Sequence, residues 1–251
     1  MTTPLTYDFG YSWWIGWGHL VPIALFGALT GLALWRRWPR WLVIACSLIC
    51  LWGFTGLLIS QFLFRLNLPV EPPSPRFLSS RTGRVVDIGA GSGRASIGLL
   101  LARPGVTVSA VDIYKGFYGI ENNTRDRLMR NARIAGVADR VEAIVGDARD
   151  LPLDAGAYDG AISVAAIDHL PRAGIPKALS EAARVLKPQG ELMLTIVNVD
   201  SLARFTSPHA LGHHPPADRN RWRGLIAAAG FDLVEEGTIP GGLYFFSRKA
   251  R

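Results

Sequence analysis

Between Val85 and Gly93 the chain reads Val-Val-Asp-Ile-Gly-Ala-Gly-Ser-Gly, an apolar strand pattern that ends in glycines just before a helical segment. Glycine lacks a Cβ, so such a loop lets backbone N–H groups approach a ligand closely. A nicotinamide-binding loop spaces its glycines G-x-G-x-x-G to seat a pyrophosphate on the helix N-terminus, and its third glycine would fall on Arg94. Here the spacing is G-x-G-x-G over Gly89, Gly91 and Gly93, with Ala90 inside the loop and Asp87 two residues ahead of it. Asp112, followed by Ile113, stands about 19 residues after Gly93 at the end of the next apolar run, where an acid accepts hydrogen bonds from ribose hydroxyls. Taken singly, each feature has a bland alternative: an ordinary strand-to-helix turn, or a solvated carboxylate at a strand end. Imidazoles concentrate in one segment, with His209, His213 and His214 between Phe205 and Pro216. They could bind a metal, orient an anionic headgroup or act as a base. No carboxylate or thiolate at matching spacing supports a metal site, so none is assigned.

The elements that must hold these groups follow from periodicity. Strands are predicted at Arg84–Ile88, Val106–Val111, Val141–Val145, Tyr158–Val164, Glu191–Val197, Phe231–Glu236 and Leu243–Ser247. Helices are predicted at Arg94–Arg103, Glu121–Gly136 and Ile175–Leu186, the last ending before Lys187-Pro188-Gln189-Gly190. Such alternation predicts an α/β fold with a doubly wound, mostly parallel sheet of seven strands. The last two strands, joined by a glycine-rich turn, suit an antiparallel pair.

The G-x-G-x-G spacing with Asp87 ahead of it resembles the first motif of class I S-adenosylmethionine-dependent methyltransferases. By that resemblance the glycines lie against the methionine part of the cofactor, with Asp87 near its amino end. Gly146-Asp147-Ala148 resembles the family's acidic motif beside adenine, whose exocyclic amine a carboxylate can accept. The run from Tyr158 to Val164, which includes Ser163, resembles the fourth-strand motif, and Ala183–Leu192 the helix-turn-strand after it, with Gln189 where glycine is usual. The resemblance covers about Thr82 to the C-terminus, and it implies that S-adenosylmethionine is the cofactor. It also directs attention to Ile167-Asp168-His169-Leu170-Pro171, where related enzymes place polar residues near the methyl group. His169 is a candidate base at neutral pH, or else a capping or packing histidine, and Asp168 is a second catalytic candidate or an N-cap. Tyr114, Phe117 and Tyr118 either cover the cofactor or pack beneath the next helix.

Ahead of this region lie two uncharged runs, Trp17–Trp35 and Trp41–Phe64, each long enough for the ~20 residues that cross a bilayer. Tryptophans flank both, and the connector Arg36-Arg37-Trp38-Pro39-Arg40 is basic, as at a membrane interface. Residues 1–65 are therefore expected to form a transmembrane or re-entrant hairpin with helices over about 17–35 and 41–64. Residues 66–82, rich in proline, are read as a semi-rigid linker, and 83–251 as the catalytic domain. Cys46 and Cys50 fall inside an apolar run and read as small packing residues. The net charge of +7 suits an anionic membrane face or an anionic substrate. No basic block with interleaved aromatics argues for a nucleic-acid partner. A hairpin puts the N-terminus and the large domain on one side, which the cofactor's location makes the cytoplasmic one. An anchored enzyme most simply methylates a small molecule that partitions into the membrane, such as a phospholipid amine or a quinone. A soft nucleophile such as a thiol or selenium species, and a non-catalytic cofactor-binding protein, are the alternatives. Nothing in the sequence sets an oligomeric state.

Overall fold

The first strand, β1 (Thr82–Ile88), carries apolar residues on both faces: Val86 and Ile88 point into one side of the core, and Val85 into the other. A strand buried on both faces belongs at the centre of a sheet, and β1 pairs in parallel with β2 (Gly105–Asp112) and with β4 (Tyr158–Val164). The computed structural model describes residues 6–115, 121–206 and 217–251. Adding β3 (Val141–Val145), β5 (Leu186–Val197), β6 (Phe231–Ile239) and β7 (Gly242–Lys249) gives one sheet in the order β3-β2-β1-β4-β5-β7-β6. Only β7 runs antiparallel to both of its neighbours. Strand order reverses between β1 and β4, and that switch point opens a crevice at their C-terminal ends.

Helices cover both faces. On one side α4 (Arg94–Ala102) and α5 (Arg125–Ile134) bury Ile97, Leu99 and Leu128 with Phe77 and Phe246. Opposite, α6 (Gly174–Val185) and α8 (Arg219–Ala228) bury Ile175, Leu179, Trp222 and Ile226 against Leu192, Leu194 and Phe245. Alternation along β5 explains the division: Leu192, Leu194 and Ile196 face this second layer, and Met193 the first. The predicted turn Lys187–Gly190 lies within β5, with Gln189 at a left-handed φ of 63°. The helix predicted over 121–136 begins only at Arg125, where the Thr124 side chain caps it by accepting from Arg127 N.

The apolar N-terminal region is a helical hairpin with different bounds from those expected. A one-turn helix α1 (Trp13–Gly16) precedes α2 (Leu20–Trp35), whose 16 residues extend about 24 Å, short of the roughly 30 Å hydrocarbon core of a bilayer. The return helix α3 (Arg40–Leu58) continues as a π-helical turn, Ile59–Phe64, so that 25 residues run from Arg40 to Phe64, and an 18-residue stretch of them has a mean hydropathy of 2.4. Among the described residues this is the one helix long and apolar enough to cross a membrane. The two helices approach closely at small residues: Cys50 Sγ lies against Gly27, and Gly53 against Pro22 and Ile23.

The proline-dense stretch packs against the domain over part of its length. Phe77 and Ser74 are fully buried and Leu78 nearly so, while Val70 lies so close to α4 that only glycine fits at position 98. Arg103 holds the stretch by donating to the carbonyls of Pro75 (3.1 Å) and Phe77 (3.2 Å). Apolar Phe77 and Leu78 pack over Gly160 of β4, and Phe77 meets Phe246 of β7, so their burial overrides the extended habit of the flanking prolines.

Candidate cofactor site

The glycine loop sits in the crevice at the switch point. Gly89 and Ala90 both donate their N–H groups to the Val111 carbonyl (2.8 and 3.1 Å), which folds the chain back over β2. Gly89, Gly91 and Gly93 adopt φ of 78°, 55° and 86°, a region that side chains disfavour. At position 89 a Cβ would lie 2.3 Å from that of Ala166, so β1 and the segment after β4 touch there. Position 91 faces open space, with no atom within 4 Å of a Cβ built on it.

Alternation puts Asp87 on the α4 side of β1, where it is 1% exposed. Its Oδ2 accepts from Ser96 Oγ at 2.5 Å, whereas the buried Oδ1 has no partner among the described residues. Burial lifts its pKa from 3.8 to about 7; the Ser96 hydrogen bond opposes the rise and the Asp112 carboxylate adds to it. Asp112 ends β2 and gathers three donors: Gly91 N (2.9 Å) on Oδ2, with Tyr114 N (2.7 Å) and Asn123 Nδ2 (3.1 Å) on Oδ1. It therefore fixes the glycine loop. Ile113 next to it is 49% exposed.

Asp147 follows β3, joined to Asp112 through Gly146 N and the Asp112 carbonyl (3.0 Å). Its carboxylate is engaged by the Arg149 guanidinium at 2.5 and 2.9 Å, an ion pair that holds it below the usual carboxylate range. Ala148 is partly buried beside it. Ser163 is fully buried and its hydroxyl donates to the Ile88 carbonyl (2.9 Å), tying β4 to β1. Tyr114 packs against the α4–α5 core and donates to the Ala110 carbonyl (3.0 Å); burial pushes its phenol up, and the Asp112 and Asp87 charges add to the shift.

Across the crevice, Ile167–His169 forms a single 3-10 turn after β4. Asp168 is no N-cap; its Oδ2 accepts from Val197 N (2.8 Å) and so clamps the turn to the end of β5. His169 is largely buried, which lowers its imidazole pKa below 6.5 and keeps the ring neutral at pH 7. Phe117, Tyr118, His209, His213 and His214 lie outside the described residues. Among those described, no group of His, Cys, Asp and Glu has the arrangement of a metal site.

Three participants escaped the sequence reading. Asn123 supports Asp112. The segment Tyr7–Tyr11 lies on α5, with Phe9 buried, and Arg130 pairs with Asp8 at 2.9 Å. Asn131 bridges that segment to the glycine loop, since it accepts from Asp8 N (3.0 Å) and donates to the carbonyls of Asp8 (2.8 Å) and Ser92 (3.0 Å). An Asn inside a helix with its side chain turned to backbone is too common a pattern to signal this in advance.

Residues 85–190 match the family model described as a methyltransferase domain, over the segment that builds this crevice. The chain carries a domain of the class I S-adenosylmethionine-dependent methyltransferase family. This methyltransferase domain is 33% identical over 119 residues to a ubiquinone/menaquinone biosynthesis C-methyltransferase of Cereibacter sphaeroides, covering 47% of this chain and 44% of that one. It is 34% identical over 130 residues to a malonyl-[acyl-carrier protein] O-methyltransferase of Methylococcus capsulatus, covering 52% and 43% of the two chains. The chain thus spans less than half the length of these curated relatives. Among solved structures, a methyltransferase of Methanosarcina mazei shares the fold at a TM-score of 0.56 and 20% identity, covering 73% of this chain and 99% of that one. A Burkholderia thailandensis 1,6-didemethyltoxoflavin-N1-methyltransferase, solved with S-adenosylhomocysteine, does so at 0.52 and 21%, covering 69% and 73%.

Proposed function

We propose that this protein is a membrane-associated methyltransferase that uses S-adenosylmethionine to methylate a small molecule partitioning into the bilayer. Asp87 carries the cofactor half of the reading. A buried carboxylate with one oxygen satisfied and the other unmet fits a cationic amino group, which would restore its charge and supply the missing donor. The glycine loop and Asp87 would hold the methionine part of the cofactor, and Asp112 with Ile113 the ribose. Asp147 and Ala148 would meet adenine after Arg149 gives way. Bound S-adenosylmethionine supplies an electrophilic methyl group on a sulfonium. The protein's own share is to align the acceptor, exclude water and take up a proton where the acceptor has one to lose. His169, neutral at pH 7 and clamped to β5 through Asp168, is suited to that last task.

The hairpin supports the membrane half. Leu34, Trp35, Trp41, Leu48, Leu51 and Phe62 are all more than half exposed, an apolar surface that a lipid phase would cover. Similarity to quinone C-methyltransferases agrees with a lipid-soluble acceptor. The contact between Tyr7–Tyr11 and the domain agrees with both hairpin ends lying on one side, which the cofactor would make the cytoplasmic one. The test is transfer of labelled methyl from S-adenosylmethionine into a total membrane extract, followed by identification of the product. Label in the lipid phase supports the proposal. Volatile label points to a small thiol or selenium species, and binding without transfer to a non-catalytic protein.

A further inference from the structure

Arg94 opens α4 directly after Gly93 of the glycine loop. Its guanidinium donates to the carbonyls of Phe64 (2.8 Å), Arg65 (3.0 Å) and Leu68 (2.9 Å), where the chain leaves the hairpin, and lies 5.9 Å from the centre of the Tyr11 ring, just before the chain enters it. Its own carbonyl accepts from Val70 N (3.2 Å). Both passages flanking the hairpin therefore meet at one side chain. On the other side of Gly93, Asn131 joins the Ser92 carbonyl to Asp8. A loop with three glycines in five residues has little rigidity of its own, so its conformation has to be selected by what grips it from outside. Arginine is well fitted to the grip. Its planar fork satisfies several carbonyls left over at a helix end, where positive charge is also favourable.

We infer that Arg94, with Tyr11 and Asn131, is a positioning cluster that holds the glycine loop in its cofactor-binding shape only while both ends of the apolar hairpin are docked. The inference rests on the S-adenosylmethionine reading of the site. It makes the hairpin a working part of the cofactor site in addition to an anchor. A staple with no such role would behave like Arg103, which bonds the linker to the other end of the same helix.

The experiment is calorimetry with S-adenosylhomocysteine on the full chain in lipid nanodiscs, alongside thermal unfolding, for the wild type, Arg94→Ala, Arg94→Lys and Arg103→Ala. Arg94→Ala should weaken binding roughly tenfold. Arg94→Lys keeps the charge over Tyr11 but cannot span three carbonyls, so it should recover part of the loss. Arg103→Ala should lower the unfolding temperature with affinity unchanged. Wild-type affinity in Arg94→Ala, or an equal loss in Arg103→Ala, overturns the inference. Should Arg94→Ala not fold, hydrogen exchange on the wild type decides: the ligand should slow exchange at the Asp8 and Val70 amides, and unchanged rates there refute the coupling. A wild type that ignores S-adenosylhomocysteine altogether brings down the cofactor reading with it.

Discussion

Replacing Asp87 with Asn should stabilise the ligand-free protein at alkaline pH while removing most of its cofactor affinity. Folding lifts this carboxyl from 3.8 to about 7, chiefly by burial. Between those values the unfolded chain has released the proton and the folded one keeps it, so wild-type stability falls as pH rises through the window and levels off above about pH 7. At about 1.4 kcal/mol per pH unit the full effect is at most about 4 kcal/mol. Asn keeps an oxygen for Ser96 but places an amide donor where Oδ1 has no partner, which costs about 2 kcal/mol at every pH. The two proteins should therefore be similar near about pH 5, with Asn ahead by about 2 kcal/mol near pH 8. Urea denaturation across that range, in one detergent, measures the difference. A gap that stays flat with pH, or a wild type that gains on the variant as pH rises, refutes the burial argument. With ligand the order reverses: S-adenosylhomocysteine should bind the wild type more tightly as pH climbs toward about 7, and the Asn variant at least tenfold more weakly.

Asp112→Ala frees Gly91 N, Tyr114 N and Asn123 together, so calorimetry should show a loss of cofactor affinity on the order of tenfold or more; unchanged affinity would remove the ribose assignment. His169→Gln should lower turnover much more than S-adenosylhomocysteine affinity. Because burial holds the imidazole below 6.5, wild-type activity should persist through pH 7 and decline only as acid protonates the ring; a decline beginning above pH 7 would exclude this histidine as the base. Gly89→Ala combines a φ of 78° with a Cβ placed 2.3 Å from Ala166, and it should destabilise the domain by about 2–4 kcal/mol in chemical denaturation, against a negligible effect if the turn were open.

The strands and the glycine loop were legible because they depend on patterns a few residues long. Val85, Val86 and Ile88 put apolar side chains on both faces of a stretch that ends in glycines, which points to a central strand and a tight turn. Asp112 was equally visible, standing at the end of the next strand in a parallel sheet. The bond of Ser163 to the Ile88 carbonyl of the neighbouring strand was not legible, because a hydroxyl at a strand end carries no mark of its partner. The packing of the proline-dense stretch was hidden for a related reason. Its prolines dictate local extension, but Phe77 and Leu78 between them have a sheet to pack on, and burial of that size outweighs backbone habit.

What sequence could not reveal was how the two halves of the chain meet, since those contacts join residues far apart and mostly run from side chain to backbone. A carbonyl leaves no mark in a sequence, so the partners of Arg94 at Phe64, Arg65 and Leu68 are invisible before folding. The same holds at the hairpin base, where His19 Nε2 donates to the Thr206 carbonyl (2.7 Å) and Trp52 Nε1 to that of Phe205 (2.8 Å). Tryptophan and histidine in an apolar run read as interfacial or packing residues. Their polar atoms instead take the last carbonyls of the short helix α7 (Ser201–Thr206), which follows β5 beyond the Asp168 clamp. Gly56 is there because His19 needs the space: a Cβ would stand 2.4 Å from the ring. The hairpin is thereby joined to the domain at the glycine loop through Arg94 and at the β5 side through His19 and Trp52. On the proposed reading, a substrate dissolved in lipid and a cofactor dissolved in water would meet between those two joints, and an anchor on a free tether would leave their alignment to chance.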